Sequence, residues 1–215
     1  MMTIEKTGAS WRAEDFTTIG QVNWQESYPD RPEVRFAAAH NGGELLLRFE
    51  VKEECVLGRV TEDNGPVWRD SCVEFFVAFD ADGYYNFEFN CLGSLLLCFG
   101  EGRGEQRVKA PAEVLQAIGR KVSLNNPAAG LDSFQTNPTP FGLLEGGVEW
   151  NLEARIPVAA FFMHSIGTLD GVTARANFNK CGDDLPRPHF LSWQPISTPQ
   201  PDFHRPEFFG EVRFM

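Results

Sequence analysis

Two glutamates, an asparagine and a tryptophan fall within one short stretch, spaced so that they can build a polar surface for a ligand. From Val67 to Asn90 the chain reads VWRDSCVEFFVAFDADGYYNFEFN. Successive side chains of a strand point to opposite faces. Cys72, Glu74, Phe76 and Ala78 therefore share a face with Tyr84, Asn86, Glu88 and Asn90, while Val73, Phe75, Val77, Phe79, Tyr85, Phe87, Phe89 and Cys91 make the other. Carboxylates and amides pair with hydroxyl groups, and an indole plane such as that of Trp68, at the strand entrance, covers a C–H surface. A ligand with a C–H face and a hydroxyl edge suits that combination. Two carboxylates are also the minimum apparatus for hydrolysing a glycosidic bond, so Glu74 and Glu88 carry a second, catalytic reading.

Positioning these groups requires a hairpin with a defined register. Pairing Phe79 with Tyr85 sets Phe75 against Phe89 and Glu74 against Asn90, and both faces stay consistent. A shift of two residues would oppose Glu74 and Glu88, and directly opposed like charges are unfavourable. The expected register is therefore the first.

The remaining elements are also mostly strands. Val34 to His40 and Glu44 to Val51 flank Asn41-Gly42-Gly43, a hairpin turn with the glycines that positive φ requires. Alternation recurs from Val148 to Ile156 and from Val172 to Phe178, and Phe208 to Phe214 reads as a closing strand. Arg48, Arg175 and Asn177 hold strand positions that can extend the polar face, and Asn177 is kept as a ligand contact. Pro111 to Ile118 and Pro157 to Phe162 predict short helices. From Asn125 to Gly147 the density of Pro, Asn, Gly and Thr predicts a long surface loop. Many alternating strands with little helix predict an all-β fold, an antiparallel β-sandwich of jelly-roll or immunoglobulin-like type with one or two short helices, as a single domain over residues 1–215.

Composition narrows the function. The 215 residues carry 30 acidic and 19 basic side chains, a formal charge of −11, with no basic cluster. That balance argues against nucleic acid or an anionic membrane as partner. No apolar run is long enough for a transmembrane helix, and the polar N-terminus shows no signal peptide. The expectation as read is a cytoplasmic chain, or a periplasmic or extracellular one if a leader was trimmed. Five cysteines lack CxxC spacing, and Cys72, Cys91 and Cys98 read as small core or face residues rather than metal ligands. Four histidines have no zinc spacing, and Met163 and His164 are adjacent, which disfavours a haem pair. His204 is expected to fix a loop beneath the site, and Cys181 to Asp184 to form a turn. Trp11, Trp24 and Trp150 are assigned to packing.

The segments WRDSCVEFF and YYNFEFN, with NFNKCGDD, HFLSWQP and PDFHRPEFFG near the C-terminus, together resemble the family-9 carbohydrate-binding modules and family-9-like domains over nearly the whole chain. The resemblance implies non-catalytic binding of a mono- or oligosaccharide, in carbohydrate catabolism, between two tryptophans over a polar sheet face. Trp68 matches the first tryptophan, Glu74 the glutamate that contacts sugar hydroxyls, and Glu88 and Asn90 a following polar pair. Trp193 is the candidate for the second tryptophan. Family members often hold structural calcium, whose ligands do not match residue by residue. The alternative remains a glycoside hydrolase using Glu74 and Glu88.

Overall fold

Alternating apolar residues can leave water only if two sheets face one another, and the strands of this chain do so around one aromatic core. The computed structural model describes residues 1–7, 11–104 and 106–215. One sheet has the order Leu131–Thr136, Gly119–Asn126, Phe141–Pro157, Glu44–Gly58, Glu33–His40. The other has the order Gly210–Phe214, Thr173–Cys181, Cys72–Ala78, Tyr84–Asn90, Leu95–Gly100, Val108–Lys109. The N-terminal strand Met2–Lys6 joins them, pairing Met2 to Ile4 with Val212 to Phe214, and Glu5 and Lys6 with Ala39 and His40. Both of its ladders are parallel, while the other ladders among the described residues are antiparallel. The expected sandwich is thus present, with parallel pairing confined to the strand that closes one side.

The core follows the alternation. Val73, Phe75, Val77, Tyr85, Phe87 and Phe89 are buried between the sheets with Phe36, Phe49, Trp150 and Phe178. Phe178 stacks on Phe36 of the facing sheet with ring centroids 3.6 Å apart and lies 4.9 Å from Phe75. Burying each such ring contributes about 1.5 to 3 kcal/mol. The Asn41 to Gly43 turn has Gly42 at φ 90°, and Asn41 Oδ1 accepts from the amides of Gly43 and Glu44.

Two local expectations fail. Residues 125–147 are not a loop: Gly119–Asn126 pairs antiparallel with Leu131–Thr136 on one side and with the extended strand Phe141–Pro157 on the other. Turn residues misled because Gly130, at φ 76°, serves a tight turn and register shifts between Glu145 and Val148 absorb Gly146 and Gly147 within the strand. The register of the central hairpin also differs. Glu74 lies opposite Glu88, Cys72 opposite Asn90 and Val77 opposite Tyr85. The charge argument does not apply because this face is buried, which disfavours both charges, and because amides meet both carboxyls.

Candidate functional site

The outer face of the second sheet is roofed rather than solvated. Trp24, Ile196, Phe203 and Phe209 pack onto Phe76 and Tyr84 to make a second, smaller apolar cluster. Beside it a cavity of about 710 Å³ remains open. Its floor is Glu74, Asn86, Glu88 and Cys181; its walls include Trp68, Asp183, Tyr28, Phe190, His204 and the basic residues Arg103, Arg107 and Lys109.

The residues around Trp68 explain how it is aimed. Trp68 lies on the short 3₁₀ turn Val67–Arg69, and its carbonyl accepts the Asp183 amide at 3.2 Å. Asp70 Oδ2 accepts from the Arg59 and Val60 amides and from Asn90 Nδ2, at 2.8 to 2.9 Å. Ser71 exchanges backbone and side-chain bonds with Leu57. Asp70 and Ser71 thus fasten the turn, leaving the half-buried indole on the cavity wall.

On the floor, Asn179 Nδ2 donates to Glu74 Oε2 at 3.2 Å, and Cys181 Sγ lies 3.3 Å from Glu74 Oε1. Asn86 Nδ2 donates to Glu88 Oε1 at 2.7 Å, leaving Oε2 for a ligand. Burial, and then the Glu88 charge, hold the Glu74 carboxyl well above the usual carboxylate range. Burial pushes Glu88 up to about 7 against the Asn86 hydrogen bond and the Arg107 charge. At neutral pH the pair therefore retains a proton. Burial likewise raises Asp183 to about 6.

Arg107 ties the basic wall to the floor. Its guanidinium lies 4.2 Å above the Tyr84 ring and donates to Asn86 Oδ1 and to the carbonyls of Tyr84, Gly100 and Gly102. Tyr84 Oη lies 2.7 Å from His204 Nδ1, and burial with the Arg107 and Arg103 charges pushes that histidine down to about 3. His204 is thus a neutral hydrogen-bonding group of the wall.

These shifts give a signed pH dependence. Both floor glutamates titrate above their ordinary 4.5, so above that pH the folded chain holds protons that the unfolded chain has lost. The Glu88 contribution to stability is full below pH 4.5 and is lost as pH rises through about 7, and that of Glu74 is lost in the same sense, as pH rises through its own raised pKa. Glu88→Gln should therefore gain on the order of 1 to 3 kcal/mol over the parent at about pH 8 and almost nothing at about pH 4. Urea unfolding at both pH values measures it, and an equal difference at both would contradict the burial argument.

Of the six candidate residues, Trp68, Glu74 and Glu88 meet at this cavity and three do not. Asn90 holds a turn, with Nδ2 on Val60 O and Asp70 Oδ2 and Oδ1 accepting from Leu92 and Ser94. Asn177 clamps the segment after Trp193 through Gln194, bonding both its amide and its carbonyl. Trp193 packs edge-on against Phe36 and Phe178, at 6.1 and 5.8 Å, in the main core cluster rather than the cluster beside the cavity. The structure does not bring it to Trp68. Tyr28 and Phe190 were missed because segments far apart in sequence deliver them, and Asp183, which was assigned only to a turn, lines the cavity from that turn. Among the described residues no three carboxylates converge, and the buried Asp70 Oδ1, which has no hydrogen-bond partner, has the Arg59 guanidinium 3.8 Å away.

The profile of carbohydrate-binding family 9 matches residues 10–214. The chain belongs to carbohydrate-binding family 9. A Bacteroides uniformis protein, described provisionally as carbohydrate-binding, is 42% identical to this family-9 chain with a TM-score of 0.84, covering 100% of it and 99% of its own length. Family-9 modules of Caldicellulosiruptor kristjanssonii, solved with glucose and with cellotriose, share the fold at 12% and 13% identity and TM-scores of 0.52 and 0.50. They cover 100% and 99% of this chain, and 95% and 92% of their own. The comparison with curated proteins found no match.

Proposed function

We propose that this family-9 chain binds a saccharide without catalysis in the 710 Å³ cavity, in the service of carbohydrate catabolism. The observation that carries the reading is the meeting of Trp68 with the Glu74 and Glu88 carboxyls around one open cavity. Trp68 covers the C–H face of a sugar ring, and Tyr28 and Phe190, themselves 4.8 Å apart edge-on, supply further aromatic surface. Ring hydroxyls bond Glu88 Oε2, Glu74 and the Asp183 carboxylate, which has no hydrogen-bond partner among the described residues. The Caldicellulosiruptor modules with bound glucose and cellotriose support a saccharide as the ligand class.

Titration calorimetry against neutral mono- and disaccharides tests the reading. Glu74→Gln should weaken the best ligand by about 0.5 to 1.5 kcal/mol, the worth of a hydrogen bond between neutral groups, because Glu74 is the member of the pair that keeps its proton. Trp193→Ala should leave affinity unchanged. Equal affinity in parent and Glu74→Gln would contradict the site. Turnover of an aryl glycoside that disappears in Glu74→Gln would instead assign hydrolysis.

A further inference from the structure

Cys72 and Cys181 are direct partners across two neighbouring strands, and Glu74 with Asn179 forms the next pair along the same face. The two sulfurs and a Glu74 carboxyl oxygen lie within 4.8 Å of one another, with Cys181 Sγ 3.3 Å from Glu74 Oε1. A tetrahedral centre with sulfur at about 2.3 Å and oxygen at about 2.0 Å separates its ligand atoms by roughly 3.5 to 3.8 Å. Three corners of such a centre are therefore nearly in place. Both cysteines are free thiols, so no disulfide occupies the position.

Two further observations favour a ligand there. Asn179 Oδ1, fully buried in the same patch, has no hydrogen-bond partner, although its amide donates to Glu74. Glu74 and Cys181 also line the cavity, which gives an ion a route from solvent and leaves room for a fourth ligand. Two thiolates with one carboxylate select a soft cation over calcium or magnesium.

We propose that Cys72, Cys181 and Glu74 bind one thiophilic divalent cation of the zinc class at the cavity floor, with the fourth position open to the cavity. Each thiol releases its proton to solvent as its sulfur donates an electron pair to the cation, and Glu74 releases its proton where it holds one. The site does not depend on the cavity's ligand being a saccharide. It makes Glu74 common to both, so ion and saccharide should influence each other's affinity.

The test is titration of the fully reduced chain with cadmium and with zinc against a competing chromophoric chelator. Cadmium should bind stoichiometrically, with a thiolate-to-metal band in the ultraviolet and release of about two protons from sulfur. Cys72→Ser and Cys181→Ser should each weaken binding about a hundredfold or more and remove the band, whereas Cys55→Ser should change neither. Absence of the band in the parent overturns the proposal whatever the variants do. Equal affinity in the Cys72→Ser/Cys181→Ser double variant also overturns it, as does a Cys72–Cys181 disulfide whose reduction yields a chain that takes up no ion. Saccharide titration of the same samples is read separately, so loss of one activity is distinguishable from loss of the other.

Discussion

Trp68→Ala is expected to weaken the best saccharide ligand by about 2 to 4 kcal/mol, roughly thirtyfold to a thousandfold in affinity, while the chain stays folded. The magnitude follows from the indole's position. It is half-buried on the cavity wall, and a sugar laid against it removes both surfaces from water. The fold should survive because what holds the turn is not the ring. The Trp68 carbonyl takes the Asp183 amide, and Asp70 binds the Arg59 and Val60 amides, all of which an alanine leaves intact. Calorimetry gives the affinity and circular dichroism the fold. Undiminished affinity in a folded Trp68→Ala chain would remove the aromatic contact from the account.

Lys180→Met should be the most damaging single change to stability, losing about 3 to 5 kcal/mol. Lys180 follows Phe178 on the strand and points into the sandwich, where it is fully buried. Its ammonium donates to the Cys181 carbonyl and to His189 Nε2, each at 2.8 Å, and lies 3.0 Å from Glu53 Oε2 in an ion pair without hydrogen-bond alignment. Burial and the Lys180 charge push His189 down to about 2, so it accepts as a neutral ring. Glu53 in turn accepts from Trp150 Nε1 at 2.8 Å. Removing the lysine leaves Glu53 as a buried charge without its cation. Glu53→Gln combined with Lys180→Met should therefore cost less than the sum of the two single changes. Urea unfolding of the three variants decides it, and strict additivity would mean that the pair is not coupled. Because this cluster pins the strand end carrying Cys181 and the loop leading to Phe190, the weakened chain should also bind saccharide less well.

What could be read from the sequence was local. Period-two alternation from Cys72 to Cys91 separated Phe75, Phe87 and Phe89 from Glu74 and Glu88, because a strand has only two faces and water excludes one set. Hairpin pairing around Gly42 was visible for the same kind of reason: a turn's backbone demand falls on one residue. The hairpin register was not, because the deciding quantity was the burial of the carboxylate face, and that depends on a roof built from residues near positions 24, 196 and 203. Lys180 was unreadable since a lysine at a core-facing position makes sense only once Glu53 and His189 arrive from elsewhere. Trp193 was placed in the clamp by the family resemblance, yet Phe36 and Phe178 claim its ring. The cavity combines distant segments, and pairing between distant segments is what single-chain periodicity does not encode.

A crystal structure of the chain with its tightest-binding saccharide tests the central claim most directly. The account predicts a sugar ring against the Trp68 indole, with hydroxyls within hydrogen-bond distance of Glu74 and Glu88 and Tyr28 or Phe190 alongside. A sugar seated at Trp193, or anywhere outside the cavity with Glu74 and Glu88 untouched, would contradict it.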